Sequence, residues 1–514
     1  MATQTPQRRR RFLRNWKFSM PKHPGLDYLM LRISIFVLVG IGVVMAFSAT
    51  MTWSVIEGNT VWAQAIRQTF YVVLGLAVFW GALRTPFTKV KKLTPWFLAF
   101  AAILTMLVFV PGIGVGRNEV GSQSWIVLGP IRLQPSEIAR IAVAMFGALS
   151  LANKRPPRTL NEVKLTNPFV IYILVSVLFF GAMLAEGNLG VAMTFAVIVG
   201  FTLFFAGINW RVIALAVLGL VVGLVFVFLG GGYRSDRFTT FFGAFTGNFS
   251  DTRGSAFQTY QGFLSLADGS MTGVGIGQSR AKWFYLPEAK NDFVFAIIGE
   301  ELGLFGGVLV IAMFVLLGIF GLRTAMRAQN QFQSLLAATL TATVVSQAFY
   351  NVSYVIGLMP MTGVQLPLIS SGGTSTVVTL GAMGLLASVA RHEPEAVSYM
   401  QSYGRPLFDR VFMIPEPTVD VRSSRAAAGG QRSRERAGRR QPARGPEKSR
   451  PERRRTEQRR TEQRFGAAVT SRSRSVTRAA HTAVSSKHGM RDNLNSYSNQ
   501  KGQSGTWRQP PIRH

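Results

Sequence analysis

The sequence predicts an all-α polytopic membrane protein with about ten transmembrane helices and a large extracytoplasmic loop between spans 7 and 8. Two observations support this fold class: 48% of the 514 residues are hydrophobic, yet the formal net charge is +32. A soluble globular protein rarely combines these properties, so we expect them in different parts of the chain. The chain contains no cysteine, which excludes disulfides, a thiol nucleophile and a cysteine-ligated metal.

The positive charge is concentrated at the two ends. Residues 1–25 carry seven Lys or Arg and no acidic residue, and residues 391–514 carry 27 against 11 Asp or Glu. We therefore predict a basic cytoplasmic N-terminus (1–25), a membrane domain (26–392) and a disordered basic cytoplasmic tail (393–514). Attraction to anionic inner-leaflet lipid, at about 1 kcal/mol per basic residue, and docking of a cytoplasmic protein both explain the tail. No nucleic-acid-binding module accompanies its charge, so we expect no nucleic-acid partner.

Ten apolar stretches approach the length of about 20 residues that crosses a bilayer. Each must be helical, because lipid offers no hydrogen-bond partners to an open backbone. The stretches are 28–48, 62–83, 94–112, 136–153, 168–186, 189–207, 210–230, 293–322, 333–357 and 364–390. The first lacks a small-residue cleavage site, so we expect an uncleaved span. Lys and Arg are enriched in alternate loops, which places both termini in the cytoplasm and segments 113–135 and 231–292 outside.

The second outer segment ends in a dense group of charges. Glycines at 273, 275 and 277 indicate a tight re-entrant turn, and five charged residues follow: Arg280, Lys282, Glu288, Lys290 and Asp292. Cations of this kind bind phosphate oxygens, and a carboxylate among them can accept a proton from an attacking hydroxyl. A solvated loop face pairing with lipid headgroups is the structural alternative.

Four of the charged residues that fall within predicted spans are candidate site residues. Glu300 and Glu301 lie in the eighth span, which begins directly after Asp292. A bare charge within a span costs about 2.5–3.5 kcal/mol and is usually functional or paired. Pairing with an arginine in another span is the structural interpretation. Glu137 and Arg140 are spaced i, i+3 near the start of the fourth span, so they can pair with each other or across the bundle.

Three separated motifs carry a resemblance to a known family. They are "GSQSWIVLGPIRLQPSEIAR" (121–140), "WFYLPEAKNDFVFAIIGEELGL" (283–304) and "LMPMTGVQLPLISSGGTST" (358–376). Together they resemble the SEDS family of shape, elongation, division and sporulation proteins, over about residues 28–392. The residues of the second and third motifs are most similar to those of the division branch of the family, with the elongation branch as the close runner-up.

The resemblance implies a peptidoglycan glycosyltransferase that joins lipid II units at the outer face of the cytoplasmic membrane, at the division septum. By motif position, Asp292 matches the family's essential outer-loop aspartate, with the role of general base. Trp125 matches a tryptophan that shapes the substrate groove, although an interfacial belt residue is the structural alternative. Glu137, Arg140, Glu300 and Glu301 are then structural or groove-lining residues.

The chain departs from the family pattern at four places. Lys290 and Asn291 replace a common His-Thr pair before the aspartate, Ser124 replaces a basic residue, and Arg140 replaces a lysine. Residues 187–191 read Gly-Asn-Leu-Gly-Val where many members read Pro-Asp-(Phe or Leu)-Gly-Thr, so an acid is missing there. We do not expect that turn to be catalytic.

The mechanism that the resemblance implies is a single displacement with inversion at the anomeric carbon. Asp292 accepts the proton of the acceptor hydroxyl, and no covalent enzyme intermediate is needed, which suits a site without a second close carboxylate. Arg280, Lys282 and Lys290 are candidates for binding the pyrophosphate. A divalent cation is a further candidate for that role, although the sequence shows no metal-ligand cluster.

Two other functions remain open at this stage. A lipid II flippase would use the polar residues within the spans as a path, and a pure scaffold would need no outer-loop base. The resemblance also implies partners, namely a class B penicillin-binding protein with transpeptidase activity and other divisome proteins. Because the chain has no outer globular domain in its sequence, crosslinking would come from that partner.

Overall fold

The computed structural model describes residues 23–56, 58, 60–116, 122–129, 131–157, 162, 164–229, 241, 243, 255–285 and 290–417. Glu288 of the outer loop and residues 418–514 of the predicted tail lie outside these ranges.

The described residues form a helical bundle with one small sheet. The helices are α1 (Leu26–Ile56), α2 (Ala63–Arg84), α3 (Phe87–Leu107), α4 (Pro135–Leu151), α5 (Pro168–Ala185), α6 (Leu189–Ala206), α7 (Trp210–Leu229), α8 (Ser255–Gly269), α9 (Val294–Arg327), α10 (Gln331–Val355), α11 (Thr374–Arg391), α12 (Pro394–Tyr403) and α13 (Leu407–Val411), with a π-helical turn at Ala281–Tyr285. The strands are β1 (Gly114–Val115), β2 (Trp125–Leu128) and β3 (Ile131–Leu133).

Eight of the described helices are long and apolar enough to span a membrane: α1, α2, α3, α5, α6, α9, α10 and α11. The predicted fold class, an all-α polytopic membrane protein, is thereby confirmed, but the count of ten spans is not. Helix α4 has 17 residues and is buried along almost its whole length. The apolar part of α7 covers Trp210–Gly223, which is short for a full crossing.

Helix α10 lies at the centre of the bundle, where it packs against α4, α6, α9 and α11. Small residues allow close packing of α4 with its neighbours: a Cβ at Gly147 would lie 2.6 Å from Cγ2 of Thr202 on α6 and 2.7 Å from the Tyr172 ring on α5. Close approach through small residues is how membrane helices gain packing energy, since lipid gives them no hydrophobic driving force.

Helix α11 begins ten residues later than the sequence predicts. Residues 364–373 form a loop, and the helix starts at Thr374. Pro367 and the Gly372-Gly373 pair explain the difference, because proline lacks the amide hydrogen of a helix interior and glycine favours turns. The prediction of one continuous span over 364–390 is therefore wrong in its first part.

Helix α9 is interrupted at Gly303, which has φ 68° and ψ −166°. The main-chain groups freed by the break bond to a loop from residues 270–275. Amides of Leu304 and Phe305 donate to the carbonyls of residues 270 and 271, while amides of residues 274 and 275 donate to the carbonyls of Glu300 and Glu301. The loop thus satisfies the backbone groups that lipid cannot.

The first motif folds into a small antiparallel sheet beside the bundle. Trp125 pairs with Val115 across β1 and β2, and the hairpin continues with Val127 opposite Arg132 in β3. The chain then enters α4 through Pro135 in its first turn, a position where proline's missing amide hydrogen costs nothing.

The described residues beyond α11, up to residue 417, form two further helices. Helices α12 and α13 follow, and Asp409 is fully buried between Nε of Arg391, at 2.6 Å, and the hydroxyl of Tyr28, at 2.8 Å. The prediction of disorder from residue 393 is therefore wrong for residues 393–417. The low apolar content that suggested disorder does not reveal an ion pair with residues far away in the sequence.

Candidate active site

The backbone around Asp292 is fixed by hydrogen bonds from two other segments. Asp292 is half-buried, and it directly precedes Phe293, the N-terminal cap of α9. Its carbonyl accepts from Nδ2 of Asn351, at 2.8 Å, and from the hydroxyl of Tyr354, at 2.7 Å, both in the last turns of α10. Asp292 is therefore tied to the centre of the bundle.

The two residues before Asp292 are held by the third motif. The Ser370 hydroxyl donates to the Asn291 carbonyl at 2.6 Å, and the Ser371 amide donates to the Lys290 carbonyl at 3.1 Å. Three consecutive carbonyls, from residues 290 to 292, thus accept hydrogen bonds from residues elsewhere in the chain. Such restraint places the Asp292 side chain in a defined position.

The Asp292 carboxylate lies beside the same loop. A Cβ at Gly363 would start 3.3 Å from Oδ2 of Asp292, so the loop passes close to the acid only because it has no side chain there. The neighbouring Val364 carbonyl shares the donors of Asn351 and Tyr354. One pair of side chains therefore holds the second and third motifs together.

The loop of the third motif is itself anchored by glutamines from membrane helices. Nε2 of Gln68 on α2 donates to the Ser370 carbonyl at 3.4 Å and to the Thr376 hydroxyl at 3.1 Å, and its Oε1 accepts from the Gly373 amide. Nε2 of Gln347 on α10 donates to the Gln365 carbonyl. These side chains satisfy an irregular backbone at membrane depth, as such a loop requires.

The first motif reaches the site through the turn between α5 and α6. Ser124, next to Trp125, lies 3.4 Å from Nδ2 of Asn188, and a Cβ at Gly190 would lie 2.0 Å from the Thr362 carbonyl oxygen. Thr362 precedes Gly363. A continuous set of contacts therefore connects the half-buried Trp125 with the loop beside Asp292.

Glu137 and Arg140 form an ion pair with each other, which is one of the two pairings that the i, i+3 spacing left open. Both side chains are buried, with 7% and 1% exposure. Nε and Nη1 of Arg140 have no hydrogen-bond partner among the described residues. The pair lies on α4, within the helix that follows the Trp125 hairpin.

Glu300 and Glu301 bind the loop that enters the break in α9. Glu300 accepts from the Ser279 hydroxyl at 2.7 Å and from the Arg280 amide at 2.6 Å. Glu301 accepts from the Ser48 hydroxyl on α1 at 2.7 Å and pairs with Nζ of Lys282 at 3.4 Å. The predicted structural role is thus supported by these contacts, with a lysine in place of the arginine that we expected as partner.

The three candidate cations differ in accessibility. Lys282 is buried, and its ammonium contacts Glu301 and the Gly277 carbonyl. A phosphate contact would break both interactions, so the geometry favours a structural role over the predicted substrate contact. The Arg280 side chain is exposed, and the half-buried Lys290 places Nζ 3.3 Å from Oε1 of Gln64.

Glu186 is a buried acid that the sequence did not single out as functional. It caps the end of α5 next to Asn188, is 2% exposed, and neither carboxylate oxygen has a partner among the residues described. Burial raises the pKa of Glu186 to about 8. Asn188 stands where many members of the family have an aspartate, and the carboxyl group of Glu186 lies two residues before it in the chain.

Sequence reasoning also missed Asn351, Tyr354 and Gln68. The available signal was a polar side chain inside an apolar span, which is usually paired or functional. In the described part of the chain, no three His, Asp or Glu side chains gather in a way that would hold a metal ion. Glycines 273, 275 and 277 all have positive φ, as the predicted turn requires.

The fold and the site together define a polytopic membrane protein with a restrained carboxylate where its three motifs meet. Residues 28–395 match the model of the FtsW, RodA and SpoVE family of cell cycle proteins. The chain belongs to this family, which confirms the SEDS resemblance.

Comparison with similar proteins places the chain near members of the family that are named FtsW. The chain is 36% identical over 377 residues to the probable peptidoglycan glycosyltransferase FtsW of Mycobacterium tuberculosis, covering 73% of this chain and 70% of that protein. It is 33% identical to the FtsW of Geobacter metallireducens, covering 73% and 97%. It is 32% identical to stage V sporulation protein E of Bacillus subtilis, covering 71% and 97%.

Solved structures share the fold. Rod shape determining protein RodA of Thermus thermophilus, as a single-residue variant, gives a TM-score of 0.51 at 22% identity, covering 71% of this chain and 97% of that one. A chain from a peptidoglycan synthase complex that coordinates polymerization and crosslinking gives a TM-score of 0.55 at 22% identity, with the same coverage.

Proposed function

We propose that this protein is a peptidoglycan glycosyltransferase that polymerises lipid II at the outer face of the bacterial cytoplasmic membrane during septal wall synthesis. In this proposal both termini are cytoplasmic, and the end of the bundle that carries Asp292 faces outward. The named FtsW relatives support the activity, and the positive-inside distribution of Lys and Arg supports the orientation.

The observation that carries the proposal is the restraint of Asp292. Main-chain carbonyls at residues 290, 291 and 292 accept hydrogen bonds from Ser371, Ser370 and the Asn351–Tyr354 pair. A general base contributes to catalysis only when it is positioned within hydrogen-bond reach of the proton that it accepts. A loop carboxylate that merely faced lipid headgroups would need no such restraint.

In the proposed reaction, the 4-hydroxyl oxygen of the acceptor GlcNAc attacks the anomeric carbon of the donor MurNAc. The hydroxyl proton moves to the Asp292 carboxylate as the new C–O bond forms. The bond from the anomeric carbon to pyrophosphate breaks, and its electron pair leaves with undecaprenyl pyrophosphate. One displacement inverts the anomeric carbon.

We assign contacts with the pyrophosphate to Arg280 and Lys290, and a groove-shaping role to Trp125. The exposed Arg280 side chain can reach a bound anion, and a guanidinium binds phosphate oxygens in a bidentate manner. Lys290 is adjacent to the proposed base in sequence. A divalent cation carried by the pyrophosphate would share this charge neutralisation.

The placement of the charged residues within the bundle favours an enzyme over a transporter. Glu137 pairs with Arg140, and Glu301 pairs with Lys282. Glu300 and Glu301 are each 1% exposed. A path for a lipid headgroup would need polar groups that face an open passage, whereas these groups bond to their own chain.

We further propose that the protein works with a class B penicillin-binding protein, which would crosslink the glycan that this chain makes. The structural similarity to a chain of a peptidoglycan synthase complex supports this partner. Other divisome proteins follow from the septal assignment. A fluorescent fusion that labels the side wall rather than the septum would overturn that assignment in favour of an elongation role.

The activity is tested with purified protein, its partner and lipid II, by measuring glycan chains on gels. Asp292→Asn should reduce polymerisation by about 10²–10⁴-fold, the range for a lost general base. Asp268→Asn is the matched control, because Asp268 is an exposed acid near the end of α8, and it lies, like Asp292, between α7 and α9. Near wild-type polymerisation by Asp292→Asn would overturn the general-base role. Lipid movement without polymer from the wild-type protein would favour the flippase, and normal division with Asp292→Ala would favour a scaffold.

A further inference from the structure

Helix α13, which follows α12, is a short amphipathic helix whose polar side faces the protein. Asp409 in α13 is fully buried and bonds to Arg391 and Tyr28. Nη2 of Arg391 also bonds to the Pro415 carbonyl, and Ile414 is fully buried. These contacts fix α13 against the ends of α1 and α11.

The opposite side of α13 and the two residues after the helix are apolar and exposed. Leu407 is 78% exposed, Val411 63%, Phe412 46% and Met413 72%. The described residues leave all four of these apolar side chains largely uncovered, which is unusual for a cluster on a surface that faces water. A helix that buries its acid and exposes its apolar side chains is inverted relative to the pattern of a water-facing surface helix.

The depth of α13 relative to the spans indicates what surrounds it. Nε1 of Trp80 on α2 donates to the Phe412 carbonyl at 2.8 Å. Trp80 lies four residues before Arg84, the last residue of α2, and therefore about 6 Å inside the end of that helix at 1.5 Å per residue. Interfacial helices place their apolar side about 5–10 Å into the boundary between headgroups and acyl chains.

Aromatic side chains make the apolar surface continuous with the membrane helices. Phe408 lies 5.8 Å from Phe36 on α1 and 4.6 Å from Phe412, between ring centroids. Phe36 in turn lies 5.8 Å from Phe79 on α2. Because Phe36 is itself an exposed side chain of a span, the same lipid that contacts it can extend over α13.

Two arginines lie close to this apolar surface. Arg84 stacks on the Trp80 ring at 4.6 Å, and the exposed Arg410 donates from Nε to the Arg405 carbonyl. Long basic side chains at a membrane boundary extend toward lipid phosphates while their stems stay in apolar surroundings.

We propose that α13 and the two residues after it, Leu407 to Met413, are an interfacial membrane anchor. Its apolar side inserts into the acyl boundary of the leaflet at which α2 ends, and the buried Asp409 locks it to α1 and α11. The occupant of the exposed surface is thus lipid, and not a protein partner or a second copy of this chain.

The absence of cysteine from the sequence allows a direct test with full-length protein in vesicles. Leu407→Cys and Met413→Cys are labelled separately with a polarity-sensitive fluorophore, and Ser402→Cys serves as the control on the exposed polar side of α12. Lipids brominated on their upper acyl carbons should quench most of the emission at 407 and 413, while aqueous iodide should quench only the label at 402. Iodide quenching at 407 and 413 equal to that at 402 would overturn the proposal. Protection from both quenchers would also overturn it, because a protein would then be the occupant.

Discussion

Replacing Tyr354 with phenylalanine tests whether the backbone of Asp292 is restrained for catalysis. The Tyr354 hydroxyl has one hydrogen and two acceptors, the carbonyls of Asp292 at 2.7 Å and Val364 at 2.9 Å. Its loss should lower the free energy of unfolding by about 0.5–1.5 kcal/mol. The fold should persist because Asn351 still donates to both carbonyls.

The effect on turnover should be larger than the effect on stability. A shift of a catalytic group by about 1 Å can cost about 10²-fold in rate, so we expect kcat for lipid II polymerisation to fall by about 10–10²-fold in Tyr354→Phe. KM should change little, because displacing the base reduces the stabilisation of the transition state more than it reduces the binding of substrate. Steady-state polymerisation at several lipid II concentrations separates the two parameters.

Tyr28→Phe is the matched control for this experiment. The Tyr28 hydroxyl is also buried and donates to Asp409 at 2.8 Å, so its removal should cost similar stability. Asp27, its neighbour, pairs with Arg323 near the end of α9, about 30 Å along that helix from the break at Gly303 at 1.5 Å per residue. Equal losses of kcat in the two variants, or no loss in Tyr354→Phe, would refute the positioning role.

Three further experiments test two buried charged groups and the break in α9. Lys282→Met should lower the free energy of unfolding by about 3–5 kcal/mol because it leaves Glu301 as an uncompensated buried charge, and adding Glu301→Gln should recover most of that loss in thermal unfolding. Gly303→Ala puts a Cβ 2.4 Å from a main-chain nitrogen at φ 68°, which should destabilise by about 1–3 kcal/mol, whereas Gly307→Ala, with its nearest contact at 3.5 Å, should be nearly neutral. For Glu186, the raised pKa of about 8 means that the folded state keeps a proton that the unfolded state releases above about pH 4.5, so stability should fall as pH rises from about 4.5 to 8. Glu186→Gln should flatten this dependence in melting temperatures recorded across that range, and an unchanged slope would contradict the assignment.

The features that the sequence predicted correctly depend on local pattern. Apolar length located the eight described helices that are long and apolar enough to span a membrane, and i, i+3 spacing made the Glu137–Arg140 pair one of two candidate pairings. Glycines at 273, 275 and 277 predicted a turn with positive φ. In each case the physical cause acts within a few residues, so the sequence window that shows the pattern also contains its partners.

The features that the sequence did not predict depend on distant partners. Residues 364–373 are apolar enough to resemble a helix, but their backbone is satisfied by Gln68 and Gln347, far away in the sequence. Asp409 is similarly stabilised by Arg391 and Tyr28. Apolar content reports that a segment avoids water, but it does not distinguish a lipid-facing helix from a loop buried within protein.

Lys282 shows the same limit for charge. Its position in a basic outer loop indicated phosphate binding, whereas its burial against Glu301 gives it a structural contact. The two interpretations differ only in whether the loop folds back into the bundle. That depends on the break at Gly303, which a single glycine in an apolar run does not establish.

Contacts of Glu300, Glu301 and Asp292 restrain the chain on both sides of one segment, residues 282–290. Glu300 and Glu301 bind residues 279–282 through side chains, and their carbonyls accept from residues 274 and 275. The loop before the active site is thereby attached to the first turns of α9, and Asp292 is attached to α10 at the start of the same helix. The segment between residues 282 and 290 is therefore held at both ends, which fixes how far apart Arg280 and Asp292 can lie. Binding of the donor pyrophosphate at Arg280 would bring the donor to the acceptor hydroxyl that Asp292 deprotonates only if that separation is maintained. We therefore expect the buried acids to contribute to the proposed catalysis through geometry, without contacting the substrate.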